Sequence, residues 1–166
     1  MMVEKFMKND VLQKVRCIAD YQFGKDAGKT LFPDNIEVKF SGRTGRVKEI
    51  YVEKKLVATL RPTVGNFSLT IEGFKRLLKT FKYPKFRVVV TKEAEEFVRK
   101  GKNVFAKHVK NVDKEIRPMD EVAVVNENDQ VIAVGKAVLS GREMLAFKRG
   151  IAVKVRHGVE KSDNQR

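Results

Sequence analysis

Apolar residues first recur at helical spacing over residues 5–19, where Val11, Leu12, Val15, Ile18 and Ala19 fall on one side and Lys8, Lys14 and Arg16 elsewhere on the wheel. A turn-rich stretch, DYQFGKDAGKTLFPD, carries two glycines and Pro33 and leaves room for a short helix over Ala27–Leu31. The period then changes from three or four to two. IEVKF alternates as a strand, SGRTGR reads as a hairpin turn, and VKEIYVE, KLVATLRP and FSLT read as further short strands. A helix follows in LTIEGFKRLLKTF, with Thr70 as N-cap, Glu72 in the first turn and an apolar stripe of Phe74, Leu77, Leu78 and Phe81. Pro84 in KYPKF cannot continue that helix and marks a joint.

Beyond the joint the pattern starts afresh. FRVVV is a strand, and TKEAEEFVRKG is a compact helix with Thr91 as cap, acidic residues first, basic residues last and Gly101 as terminator. NVFAKHV reads as a strand, with Val104, Ala106 and His108 on one face and Phe105, Lys107 and Val109 on the other. A hairpin turn at Asn128–Asp129 separates two more strands, and GIAVKVRHG is the last one. Its alternation places Ile151, Val153 and Val155 in a core and projects Ala152, Lys154 and Arg156. Many short strands with one helix favour a small closed barrel. The expected organisation is therefore α+β: a small α+β domain over residues 1–82, a small β-barrel over 83–158 and a polar tail over 159–166.

Charge changes the picture most. Thirty-five Lys and Arg against 21 Asp and Glu give a net charge of +14. Residues 1–80 hold 16 basic and 9 acidic residues, and the remainder 19 and 12, so each half carries +7. A folded chain with that balance attracts polyanions, nucleic acid before an acidic membrane surface. A heat-adapted protein also carries many lysines, but such proteins balance them with glutamates. The 42% apolar fraction supports a core, and no run approaches the roughly 18 apolar residues of a membrane span. The N-terminus lacks the apolar segment of a signal peptide. Cys17 has no second cysteine and is expected as a small buried helix residue in a reducing cytoplasm. No His, Cys, Asp or Glu cluster has metal-ligand spacing, no cofactor is expected, and Cys17 with His108 and His157 forms no nucleophilic site.

The second half, in EFVRKGKNVFAKHV, IRPMDEVAVVN, VIAVGKA and RGIAVKVRHG, resembles a PUA domain, an RNA-binding pseudobarrel. Where that family commonly has Gly after the proline, this chain has Met119. Residues 15–80, in ADYQFGKDAGKTLFPD, SGRTGRVKEI and LVATLRPTVGNFSLTIEGFKRLL, are similar to the domain that precedes PUA in archaeal tRNA-guanine transglycosylases of the archaeosine pathway. Those enzymes carry a large catalytic barrel with an aspartate nucleophile and a zinc site, for which 166 residues have no room. The resemblance implies a non-catalytic RNA-binding protein recognising structured tRNA at the acceptor stem or 3′ end. Two alternatives stand beside it: a subunit that completes a transglycosylase with a separate catalytic enzyme, and a ribosome-biogenesis or protein-interaction adaptor.

The resemblance also implies that RNA lies over the first helix of the barrel, its loop and the last strand. At those positions Gly101 lets a backbone approach closely or simply ends the helix. Lys100 and Lys102 offer point charges to phosphates, and Asn103 reads a base edge or caps the turn. Lys107 is the expected phosphate contact of its strand. Lys154 and Arg156 project together about 6.6–6.8 Å apart, close to the phosphate spacing of one strand, and Arg149 extends the row. Arg43 and Arg46 in SGRTGR form a basic loop beside RNA or an ordinary hairpin turn, and Arg61 serves equally well as a structural ion-pair partner.

Overall fold

The computed structural model describes residues 2–160, with side chains from residue 7 onward. Residues 161–166, most of the expected polar tail, lie outside the described residues. The chain divides into two compact units, Met1–Thr80 and Phe81–Arg166.

In the first unit, α1 (Met2–Phe23) runs longer at both ends than the apolar pattern indicates. Its buried stripe is Leu12, Val15, Ala19 and Phe23, so the i, i+4 rhythm continues through YQF until Gly24, whose φ of 113° ends it. Cys17 lies two residues from Val15, which turns it away from this stripe, and it is exposed rather than buried. Helix α2 (Ala27–Leu31) packs on α1 so closely that a Cβ on Gly28 would sit 2.4 Å from the carbonyl oxygen of Arg16. Four strands, β1 (Glu37–Phe40), β2 (Val47–Val52), β3 (Lys55–Leu60) and β4 (Phe67–Leu69), form an antiparallel sheet in sequence order. Helix α3 (Ile71–Leu77) starts as its sequence indicates, the Gly73 N–H donating to Thr70 Oγ1 at 3.1 Å.

The second unit contains a six-stranded sheet built from β5 (Arg87–Val90), β6 (Val104–Phe105), β7 (Val109–Val112), β8 (Glu121–Val125), β9 (Val131–Ala137) and β10 (Ile151–Gly158). The spatial order is β6-β10-β9-β8-β5-β7, with β5–β8 the parallel pair. The two outermost strands, β6 and β7, are joined by a single 3-10 turn, Ala106–His108. Their ends are therefore close, and the sheet curls into a nearly closed pseudobarrel around Val88, Val90, Val112, Val124, Ile132 and Val153. The sequence indicates one continuous strand through NVFAKHV. The 3-10 turn replaces its middle because the chain must leave one edge of the sheet and join the other.

Helix α4 (Lys92–Arg99) begins at Thr91, but the Thr91 hydroxyl caps nothing and is buried without a partner. Glu93 and Glu95 supply the negative charge in the first turn instead. Asn126 Nδ2 donates to Glu95 Oε1 at 3.0 Å, and that bond, helped by Arg99, holds the Glu95 carboxyl below its ordinary value. Helix α5 (Gly141–Ala146) has no counterpart in the sequence reading. Its signal is nonetheless present as Ser-x-x-Glu: Ser140 and Glu143 form a reciprocal capping box.

Met119, which stands where the family commonly has glycine, adopts a φ of 77° and leaves its side chain 68% exposed. The position favours a residue without a Cβ, and the Met side chain is mostly unburied. Met119→Gly is expected to raise stability by about 0.5–1 kcal/mol, read as a shift in the denaturant midpoint at unchanged slope.

Candidate nucleic-acid interface

Gly101 ends α4 in a Schellman motif. Its N–H donates to Val98 O at 2.9 Å and that of Lys102 to Phe97 O at 3.1 Å, with Gly101 at φ 91°. This turn carries the chain directly into β6. Gly158, at the far end of β10, packs beneath it, where a Cβ would lie 2.3 Å from Arg99 O. Helix end, loop and last strand are thus one rigid corner.

Asn103 is part of that corner. The Val155 N–H donates to Asn103 Oδ1 at 3.0 Å, beside the register shift of β10 against β9 between Val155 and His157. The side-chain carbonyl is engaged in holding this bulge, and the amide nitrogen remains to face a ligand.

The phase of β10 differs from simple alternation. Ile151 is exposed, Ala152 and Val153 are both buried, Lys154 is exposed, and Val155 and Arg156 are half-buried. A register shift against β6 between Ile151 and Val153, and the second one against β9, each slip the alternation by one residue. Lys154 and Arg156 consequently do not act as a matched projecting pair. Arg156 lies over Glu121 of β8, with Nη1 to Oε1 at 3.0 Å and Nη2 to Oε2 at 2.7 Å. The Glu121 side chain is only 2% exposed, so Arg156 neutralises a buried carboxylate and ties β10 to β8 across β9.

The other expected cations divide in two. Lys100 Nζ is 3.1 Å from Glu96 in an exposed i, i+4 pair, an interaction weak enough to exchange for a phosphate. Lys102, Lys107, Arg149 and Lys154 are exposed, and no carboxylate among the described residues lies within ion-pair distance of them. The β6–β10 ladder brings these four together. Val104 pairs with Val153, which sets Lys102 and Asn103 beside Lys154 and Val155. The Ala106 N–H donates to Gly150 O at 2.9 Å, which sets Lys107 beside Arg149. The two cation pairs therefore flank the short β6–β10 ladder, one pair at each of its ends. Arg43 and Arg46 belong to the first unit, where both are exposed in the turn joining β1 to β2.

Residues 86–159 match the family model of the PUA domain, and residues 13–84 match that of the patch-forming domain C2 of tRNA-guanine transglycosylase. The chain joins a C2 domain to a PUA domain. Among curated relatives, the tRNA-guanine(15) transglycosylase of Pyrococcus abyssi is 48% identical over 157 residues, covering 95% of this chain and 26% of the relative. That of Methanocaldococcus jannaschii is 41% identical over 148 residues, covering 89% of this chain and 23% of the relative. The chain thus spans about a quarter of the length of these relatives. Among solved structures, a hypothetical protein of Pyrococcus horikoshii matches with a TM-score of 0.71 at 27% identity, over 91% of this chain and 90% of that one. A PUA domain protein of Thermoplasma acidophilum shares the fold at a TM-score of 0.59 and 21% identity, over 86% and 89%.

Two features of the PUA domain escape the sequence reading. Lys136 of β9 is the register partner of Lys154 and stands between it and Glu121, adding a partly exposed charge to the same face. Strand alternation through VIAVGKA carries that signal. Phe105 and Ile151 are register partners and both exposed, so an apolar platform lies between the two cation pairs. Only the bulge in β10 brings Ile151 outward, and no local pattern announces it. Among the described residues no group of three or more His, Cys, Asp or Glu is placed to hold a metal ion, and no helix is long and apolar enough to cross a membrane.

Proposed function

We propose that the chain binds structured tRNA through the β6–β10 edge of its PUA domain, in connection with tRNA modification and without performing catalysis itself. The observation that carries this reading is the grouping of Lys102, Lys107, Arg149 and Lys154, exposed and without carboxylate partners among the described residues, around the Phe105–Ile151 platform. Phosphates meet the two cation pairs on either side of that platform. An unpaired base stacks on Phe105, which suits a 3′ end emerging from a duplex read by shape. The kinship to enzymes named for tRNA supports tRNA over other RNA, and the acceptor stem with its 3′ end is the target.

Competition tests the target. An acceptor-stem minihelix with an unpaired 3′ end is expected to displace labelled tRNA within about threefold of the affinity of full tRNA. An anticodon-stem hairpin of equal length and charge is expected to be at least about tenfold weaker. Equal displacement by the two hairpins would reduce the reading to unspecific capture of phosphate.

A second reading makes the chain a non-catalytic subunit that completes a tRNA-guanine transglycosylase with a separate catalytic enzyme. An apolar groove of about 680 Å³ between α1 and β1 favours it, lined in part by Met7 at 64% and Phe40 at 50% exposure. Strand β1 is an outer strand of its sheet, so a partner segment can pair alongside it. Asp substitution at Phe40 then abolishes co-purification with the catalytic chain while leaving tRNA affinity unchanged.

A further inference from the structure

The turns joining β1 to β2 and β3 to β4 are built alike. In the first, Ser41 N–H donates to Arg46 O at 2.8 Å and Gly45 N–H to Ser41 O at 2.8 Å. In the second, Arg61 N–H donates to Asn66 O at 2.9 Å and Gly65 N–H to Arg61 O at 2.9 Å. Each six-residue turn has glycine fifth, at φ 68° and 72°, where a side chain is strained. In an antiparallel sheet of order β1-β2-β3-β4 these two turns necessarily lie at the same end. Helix α1 closes that end and leaves a groove of about 800 Å³, within the size range of small-molecule sites.

The lining is sorted by chemistry. Val15, Ile18, Val47, Leu60 and Pro62 provide apolar wall, with Val15 fully buried. Lys14, Arg43, Arg46 and Lys48 are exposed around it, and Arg61 joins them with its Nε hydrogen-bonded to Ser68 Oγ. None of the fourteen lining residues is acidic, in a chain with 21 Asp and Glu. No carboxylate among the described residues lies within ion-pair distance of Lys14, Arg43, Arg46 or Lys48. Four like charges held together by two rigid turns and a helix repel one another, and an anion relieves that repulsion.

We propose that this groove is a nucleotide site: a phosphate is held by Arg43, Arg46, Lys48 and Lys14, and the base lies against Ile18, Leu60 and Pro62. The mixed lining decides the class. A bare inorganic anion has no use for the apolar wall, and an apolar ligand has none for the cations. The nucleotide is either free or an unpaired residue of an RNA strand. The inference is independent of the PUA-domain interface and stands if that reading fails.

Amide NMR of the full chain, titrated with inorganic phosphate, uridine 5′-monophosphate and a uridine hexamer, tests it. Saturable shifts at Gly45, Val47 and Gly65 are expected with the hexamer, and R43E/R46E is expected to weaken them at least tenfold while the remaining spectrum stays folded. Equal response to the monophosphate marks a free nucleotide, and response to the hexamer alone marks an RNA strand. Phosphate alone is expected to shift Gly45 weakly and Gly65 not at all. The inference is overturned if these amides stay silent with both nucleotides, or if R43E/R46E leaves the affinity within twofold. Silence here with shifts at Lys102 and Lys154 sinks the groove and leaves the tRNA interface standing. The opposite pattern does the reverse.

Discussion

Gly135→Ala lowers the melting temperature of the chain by at least about 10 °C. A Cβ at this position of β9 would lie 2.2 Å from Lys154 O and 2.9 Å from Val155 Cα, both backbone atoms of β10. Neither can rotate away as a flexible side chain does. Lys154 and Val155 are held in register by Lys136 and Gly135, and Val155 is held again by Asn103. Relief therefore requires moving β10 off β9, which breaks ladder bonds and disturbs the Arg156–Glu121 pair. The cost is at least about 3 kcal/mol, toward the upper end of overpacking penalties, and a domain of this size loses several degrees per kcal/mol. Gly42→Ala is the control, because nothing lies within 4 Å of a Cβ there. Calorimetry showing equal melting for both variants would remove the close strand crossing from the account.

Reversing Lys102 and Lys154 together is expected to weaken tRNA binding on the order of a hundredfold at physiological salt. The two side chains are exposed at one end of the β6–β10 ladder, and neither has a carboxylate partner among the described residues, so the fold survives the change. Arg156 is the wrong residue for this experiment. A glutamate there would face the buried Glu121 carboxylate and destabilise the barrel, imitating a loss of binding. Reversing Lys25 and Lys79 of the C2 domain changes net charge equally and controls for bulk attraction. K102E/K154E within threefold of that control, by fluorescence anisotropy, would mean that position is irrelevant and only total charge matters.

Much of the architecture is legible because it rests on local chemistry. Thr70 announces α3, Pro84 stops it, and Gly101 announces the Schellman turn at the edge of the proposed interface. The pseudobarrel follows from short β-branched runs whose order the resemblance supplies. What is not legible depends on long-range pairing. The two bulges of β10 invert the expected exposure of Ile151 and Ala152, and they arise from Val104, Asn103 and Val134, residues far away in sequence. The Arg156–Glu121 pair spans 35 residues and exists only once β10, β9 and β8 are side by side. A strand period read in isolation shows two cations two residues apart. It does not show that one of them is already engaged by a buried acid. The same holds for Cys17, whose exposure follows from the orientation of α1 and not from its own chemistry.

The salt dependence of tRNA binding tests the central claim most directly. Each phosphate contact contributes about −0.7 to −0.9 to the slope of log K against log salt. Four engaged cations therefore give a slope of about −2.8 to −3.6, made shallower by about 1.4 to 1.8 in K102E/K154E. A flat response in the wild-type chain, as expected of a protein-interaction adaptor with incidental charge, would contradict the account.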